Sequence, residues 1–177
     1  MHVSARKIAF LGLMLAFTII LIILSGVFEF NTLFLLCGAS FFVGIAINEV
    51  GFVLGSGFYV ASILLGLILA PNKLYVLTYS MLGFYVVVIE GVWRKLVYLQ
   101  DEKKRYILFS ILKLVVFNIM YLPMIIFFPK LIFTGELNEV LYLVFILGGQ
   151  VVLFIYDKAY HHFFTKHWTK LRRQMKL

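Results

Sequence analysis

Charge is what this chain has least of. Asp, Glu, Lys and Arg make up 14% of its 177 residues, against about a quarter in ordinary globular chains. The hydrophobic fraction is 63% and the mean hydropathy +1.04. That leaves too little polar surface to coat a water-soluble domain, and a sizeable soluble catalytic or receptor domain is excluded. Cysteine occurs once, at Cys37. This excludes an intramolecular disulfide, a C-x-x-C redox pair and a cysteine zinc cluster. Proline occurs three times, and Pro71 and Pro129 stand at breaks between apolar runs. Signatures of chemistry are missing as well. There is no H-E-x-x-H, no G-x-S-x-G, no phosphate loop, no paired intramembrane aspartates and no nucleic-acid-binding motif. A hydrolytic Cys37 would need a histidine at membrane depth, and there is none. The expectation is a non-enzyme without cofactor or bound metal.

What the chain does have is long apolar runs. A helix crossing a bilayer core needs about 20 apolar residues. Six segments meet or approach this: Ile8–Phe28, Leu33–Asn48, Val50–Ala70, Leu74–Val92, Tyr106–Phe128 and Val140–Tyr156. The second is short, which predicts little tilt, a deep start or local irregularity. The runs are continuously apolar and do not alternate, which argues against a β-barrel. Breaks fall at Phe28–Thr32, Asn48–Gly51, Ala70–Lys73, Pro129-Lys130 and Gly135–Glu139. The first run is too long for a signal-peptide core and has no A-x-A cleavage site, so it reads as a retained span. The predicted fold is an all-α membrane protein, a compact bundle of six transmembrane helices over residues 1–157. A basic amphipathic cytoplasmic tail follows over 158–177.

The charges orient the bundle. Thirteen of the 16 Lys and Arg residues fall on the side that holds both termini. They are Arg6 and Lys7, five within Arg94–Arg105, and six after Asp157. Lys73 and Lys130 fall on the other side, and Lys113 lies inside the fifth run. Cytoplasmic loops carry the excess of Lys and Arg, so both termini are expected in the cytoplasm of a bacterial cell membrane.

Some features invite functional readings, each with a structural alternative. Ala5, Ala9, Gly12 and Ala16 are spaced 4, 3 and 4 and share one helix face. Small residues let another helix approach closely, so this face docks a partner subunit or packs inside the bundle. Gly51 and Gly55 form a G-x-x-x-G, read as close packing of helices two and three or as a glycine-lined substrate path. Lys113 and Glu90 lie at similar depth and suit a helix-fixing ion pair or, alternatively, a proton relay. Asn118, Tyr121 and Gln150 lie near the middle or outer half of the bundle. Asn31, Asn72, Tyr75, Thr78 and Tyr79 lie at its outer mouth. Together they suit an outward-facing pocket with apolar walls and a few convergent polar groups. The alternative is interhelical hydrogen bonding by the amides and interfacial anchoring by the tyrosines. In the tail, Tyr160, Phe164, Trp168 and Leu171 share a helical face amid basic residues, which places it in the headgroup layer. His162 and His167 stand five apart with no carboxylate after them, which is poor metal-ligand spacing.

Six short helices and the opening Ala5-Arg6-Lys7-Ile8-Ala9, continuing through Gly12 to Ala16, resemble the substrate-binding S components of energy-coupling factor (ECF) transporters. The glycine-rich run through helices two and three looks similar too. The resemblance implies capture of a vitamin or similar micronutrient from outside. It implies docking through helix one on a transmembrane coupling subunit driven by two cytoplasmic ATPases. The loops match no one vitamin-specific pattern, so the resemblance assigns no ligand residue. The main rival is a membrane scaffold or accessory subunit that recruits a partner protein through helix one or the basic tail.

Overall fold

The computed structural model describes residues 5–127 and 138–175 of the chain. Every element within them is helical, and six helices are long and apolar enough to cross a membrane. In order they are α1 (Ala5–Val27), α2 (Thr32–Val50), α3 (Phe52–Leu69), α4 (Lys73–Leu96), α5 (Glu102–Phe127) and α6 (Glu139–His162). A π-helical segment, Phe163–Trp168, follows α6 directly and leads into α7 (Thr169–Met175). The breaks expected at Pro129-Lys130 and Gly135-Glu136-Leu137 lie outside the described residues, as do Phe128 and Lys176.

Local chemistry sets most of the helix ends. Pro71 forces the residue before it out of the helical region, and Ala70 is extended, with φ −75° and ψ 132°. Asn72 then starts α4 by accepting the Leu74 N–H at 2.9 Å. Asn138 does the same for α6 with Leu141, also at 2.9 Å. Asp101 accepts from the Lys104 N–H at 3.1 Å at the start of α5. Each cap satisfies one of the orphan donors of a first helical turn. α2 and α3 are joined by Gly51 alone, whose φ of +97° is open to glycine and strained for other residues. Gly51 is therefore the corner between the helices and not half of a packing motif.

The second helix is continuous, contrary to the irregularity its short apolar run suggests. It gains a residue before Leu33 and two after Asn48. Its 19 residues then span about 28 Å at 1.5 Å per residue. The interval between α4 and α5 is shorter than the gap between the apolar runs that end at Val92 and begin at Tyr106. The charged Arg94–Arg105 stretch is mostly helix, and only Val97–Asp101 connects. Arg105 lies over the rings of Trp93 and Tyr106, at 5.6 and 5.7 Å from their centroids. The aliphatic stem and cation of such a residue let a helix end stay ordered among aromatics.

The chain forms two compact units, one ending at Lys113 and the other beginning at Leu114, within α5. In the first unit α2 packs against α1, α3 and α4. It buries Leu36, Ala39, Ser40, Val43, Gly44, Ile45, Ala46, Ile47 and Val50. Small side chains on several turns of one helix let three neighbours come close, which is how helices associate where lipid removes the hydrophobic drive. The tightest approach is at Gly55 of α3, where an added Cβ would lie 2.5 Å from the Ile47 Cα. Hydroxyls buried in this core turn back on the backbone. Thr18 donates to the Met14 carbonyl at 2.9 Å and Ser25 to that of Ile22 at 2.7 Å. Thr32 ties the α1–α2 corner by donating to the Ser25 carbonyl at 2.8 Å. At the far end of α2, Arg94 Nη2 donates to the Ile47 carbonyl at 2.8 Å. A cation at a helix C-terminus complements the partial negative charge there.

The second unit holds the rest of α5, α6 and the segment beyond it. Pro123 lies inside α5 and removes the N–H that would bond the Ile119 carbonyl. A Cβ at Gly149 of α6 would run into the Tyr121 ring, so glycine there admits the aromatic side chain.

Gly55→Leu is expected to destabilise the protein by at least about 1–3 kcal/mol through overpacking, because backbone faces the missing side chain. Gly57→Leu, where a Cβ meets nothing within 4 Å, should leave stability unchanged. Thermal denaturation of both variants in mild detergent checks the contrast; equal melting temperatures would refute the close approach.

Candidate functional site

The polar residues expected to line a pocket are divided between the two units. Asn31, Asn72, Tyr75, Thr78 and Tyr79 belong to the first, and Asn118, Tyr121 and Gln150 to the second. In the first unit they serve helix ends and helix contacts. Asn31 is exposed at the head of α2 with no capping hydrogen bond from its side chain. Asn72 spends its carbonyl oxygen on the α4 cap. Thr78 bonds back to the Leu74 carbonyl at 3.1 Å. Tyr75 packs on α1, where its ring would lie 3.3 Å from a Cβ at Gly26. Tyr79 is fully buried, and its hydroxyl bonds that of Ser62 on α3 at 2.6 Å. Beside it, Tyr59 donates to the Ser80 carbonyl at 2.6 Å.

Tyr59 and Ser62 are residues that sequence reasoning missed. The signal was available. They are three apart on α3, so both point to one side, and a buried hydroxyl in an apolar helix needs a partner. With Tyr79 and Ser80 they form a polar seam that fixes the rotation of α3 against α4.

In the second unit the two amides find each other. Gln150 Nε2 donates to Asn118 Oδ1 at 2.8 Å, with a longer return contact of 3.4 Å from Asn118 Nδ2 to Gln150 Oε1. Asn118 Nδ2 also reaches the Leu114 carbonyl at 2.8 Å. Tyr121 stacks on Phe117 with centroids 4.9 Å apart and donates to the Phe145 carbonyl at 2.8 Å. These bonds join α5 to α6, and they match the interhelical alternative for the amides.

Lys113 holds its ammonium 4.2 Å from the Phe109 ring centroid, a favourable setting for a cation in an apolar stretch. The small face of α1 is open. Ala5, Ala9, Gly12 and Ala16 are all exposed, and a Cβ on Gly12 would meet nothing within 4 Å. The opposite face, carrying Met14, Thr18, Ile19, Ile22 and Ser25, is buried.

Beyond α6 the chain stays helical but changes pitch. Tyr156, Tyr160 and Trp168 are buried, and Tyr160 packs on Phe164 with centroids 4.5 Å apart. Leu171, expected on the same face, is exposed. Among the described residues no group of three or more His, Cys, Asp and Glu side chains could hold a metal ion. The π-helical turn does bring the His162 and His167 rings to 5.8 Å, centroid to centroid. Their five-residue spacing, poor for ligation on an α-helix, falls on one side of the helix where the hydrogen bonds run i→i+5.

Compared with protein-family models, curated proteins and solved structures, the chain matches none of them.

A double-mutant cycle on Asn118→Leu and Gln150→Leu is expected to give a favourable coupling of about 0.6 kcal/mol, with a ceiling near 1.7 kcal/mol. Denaturant unfolding in mixed micelles measures it, and a coupling of zero would show that the amide pair does not hold the helices together.

Proposed function

We propose that this chain is the membrane-embedded substrate-binding subunit of an ECF-type uptake transporter. In this reading it captures a vitamin or similar micronutrient from outside and docks through α1 on a transmembrane coupling subunit served by two cytoplasmic ATPases. One observation carries the reading. α1 packs with one face and leaves the other, made of Ala5, Ala9, Gly12 and Ala16, exposed. A face of small residues lets a partner helix approach to backbone distance, and that packing drives association in lipid. Both termini lie in the cytoplasm, a reading supported by the bias of Lys and Arg along the sequence.

A second reading has its own support. Asn72, Tyr79, Asn118, Tyr121 and Gln150 each have a hydrogen-bonding partner within the protein. A solute binder needs polar groups left to offer, whereas a scaffold or accessory subunit can use them all to hold its helices. That protein would keep the α1 face for recruiting its partner and bind no solute.

A tagged pull-down from native membranes in mild detergent, read by mass spectrometry, separates the two. Recovery of a coupling subunit with two ATPases and a retained micronutrient supports transport; recovery of a different membrane partner without a small molecule supports the scaffold. Ala9→Trp is expected to abolish co-purification while leaving the isolated protein's melting temperature unchanged. Undiminished co-purification would remove α1 as the docking face. For the orientation, single cysteines introduced by Lys103→Cys and Asn72→Cys in a Cys37→Ser background are the probe. In intact cells an impermeant maleimide should label the second and spare the first, and the reverse pattern would invert the topology.

A further inference from the structure

We propose that the π-helical turn beyond α6 is a two-histidine site for a divalent late transition-metal ion, Zn(II) being the probe, held by His162 and His167. The inference stands apart from the transport reading and rests on the geometry of this turn. In an α-helix, residues five apart are rotated by about 140° from each other, since each residue turns the chain by about 100°. Here the backbone N–H of Thr169 bonds the Phe164 carbonyl, and the Thr169 hydroxyl reaches the same oxygen at 2.9 Å. This i→i+5 pattern widens the turn and brings residues 162 and 167 to the same side of the helix, and the two rings lie 5.8 Å apart with an interplanar angle of 54°. A tetrahedral ion bound about 2.0–2.1 Å from each nitrogen needs those nitrogens about 3.4 Å apart. Both side chains are exposed, so no core packing keeps the rings from rotating toward that separation. The His167 ring is steadied from the side by Phe163, centroids 6.4 Å apart and 25° from parallel.

The surroundings select the kind of ion. His162 borders an open groove with Asp157, Lys158 and Thr165. Lys158 carries its ammonium 4.6 Å from the Phe154 ring centroid. Lys166 and Lys170 add positive charge to the same stretch. A hard cation held by charge alone would be repelled here. Imidazole nitrogen suits zinc, copper and nickel, whereas magnesium and calcium prefer oxygen. Water completes the coordination, since two protein ligands leave positions open. A bound ion would also fix the π-helical pitch, because the α-helical pitch separates the pair.

The test is isothermal titration of the full-length protein in mild detergent, metal-stripped and without a histidine tag. One saturable Zn(II) site per chain is expected, with no heat from Mg(II). Losing even a partner that orients a metal ligand costs roughly 10–100-fold in affinity. His162→Ala and His167→Ala should each weaken binding by at least about tenfold, and His161→Ala and His2→Ala should leave it unchanged. Far-ultraviolet circular dichroism confirms that the variants keep their helix. Absence of a saturable site in the unaltered protein overturns the proposal. So does binding that survives the double substitution of His162 and His167, or binding lost only with His161 or His2.

Discussion

The approach of α3 to α2 at Gly55 is the contact on which the first unit depends. It places one backbone against another at Ile47, and no side chain can stand between them. Two consequences follow from that closeness. The link between the helices shrinks to a single residue, so Gly51 must take a positive φ. The far end of α2 is also brought where Arg94 of α4 can bond the Ile47 carbonyl. α1 and α4 then close on the remaining faces of α2, whose small residues leave them room.

Polar groups in this protein are used to join helices. In a medium without water each buried donor or acceptor must find a partner inside the protein. The Ser62–Tyr79 bond and the Tyr59–Ser80 contact tie α3 to α4. The Asn118–Gln150 pair and the Tyr121–Phe145 contact tie α5 to α6. Individual bonds of this kind contribute about 0.6 kcal/mol on average, so their main effect is on which rotation of each helix is allowed. The exposed small face of α1 is the counterpart of this economy of contacts: it is left open by a helix that makes its internal packing with the other side.

How much of this was legible in the residues varies by element. The six apolar runs were visible because hydropathy is a local property. The helix ends were less so. α4 and α5 both extend into the charged stretch between the fourth and fifth apolar runs, because Arg105 rests on Trp93 and Tyr106 and Asp101 caps the turn. The G-x-x-x-G spacing marked the right pair of helices but assigned Gly51 the wrong task. Asn118 and Gln150 could be recognised as costly in hydrocarbon, yet spacing along a chain says nothing of two residues 32 apart. The π-helical turn had no local signature, and it brings together two histidine rings that an α-helix would hold apart.

By itself the sequence determined the class of the protein: six helices fit to cross a membrane, separated at four of the five breaks by asparagine, proline or glycine. These follow from composition and from backbone chemistry that acts within a few residues. Only the tertiary structure decided which small residues face another backbone, which hydroxyls and amides meet, and which face of α1 stays open. It also decided the pitch of the segment after α6. Each of these depends on the rotation and closeness of one helix against its neighbours or on a single extra residue in a turn, and neither is written in periodicity.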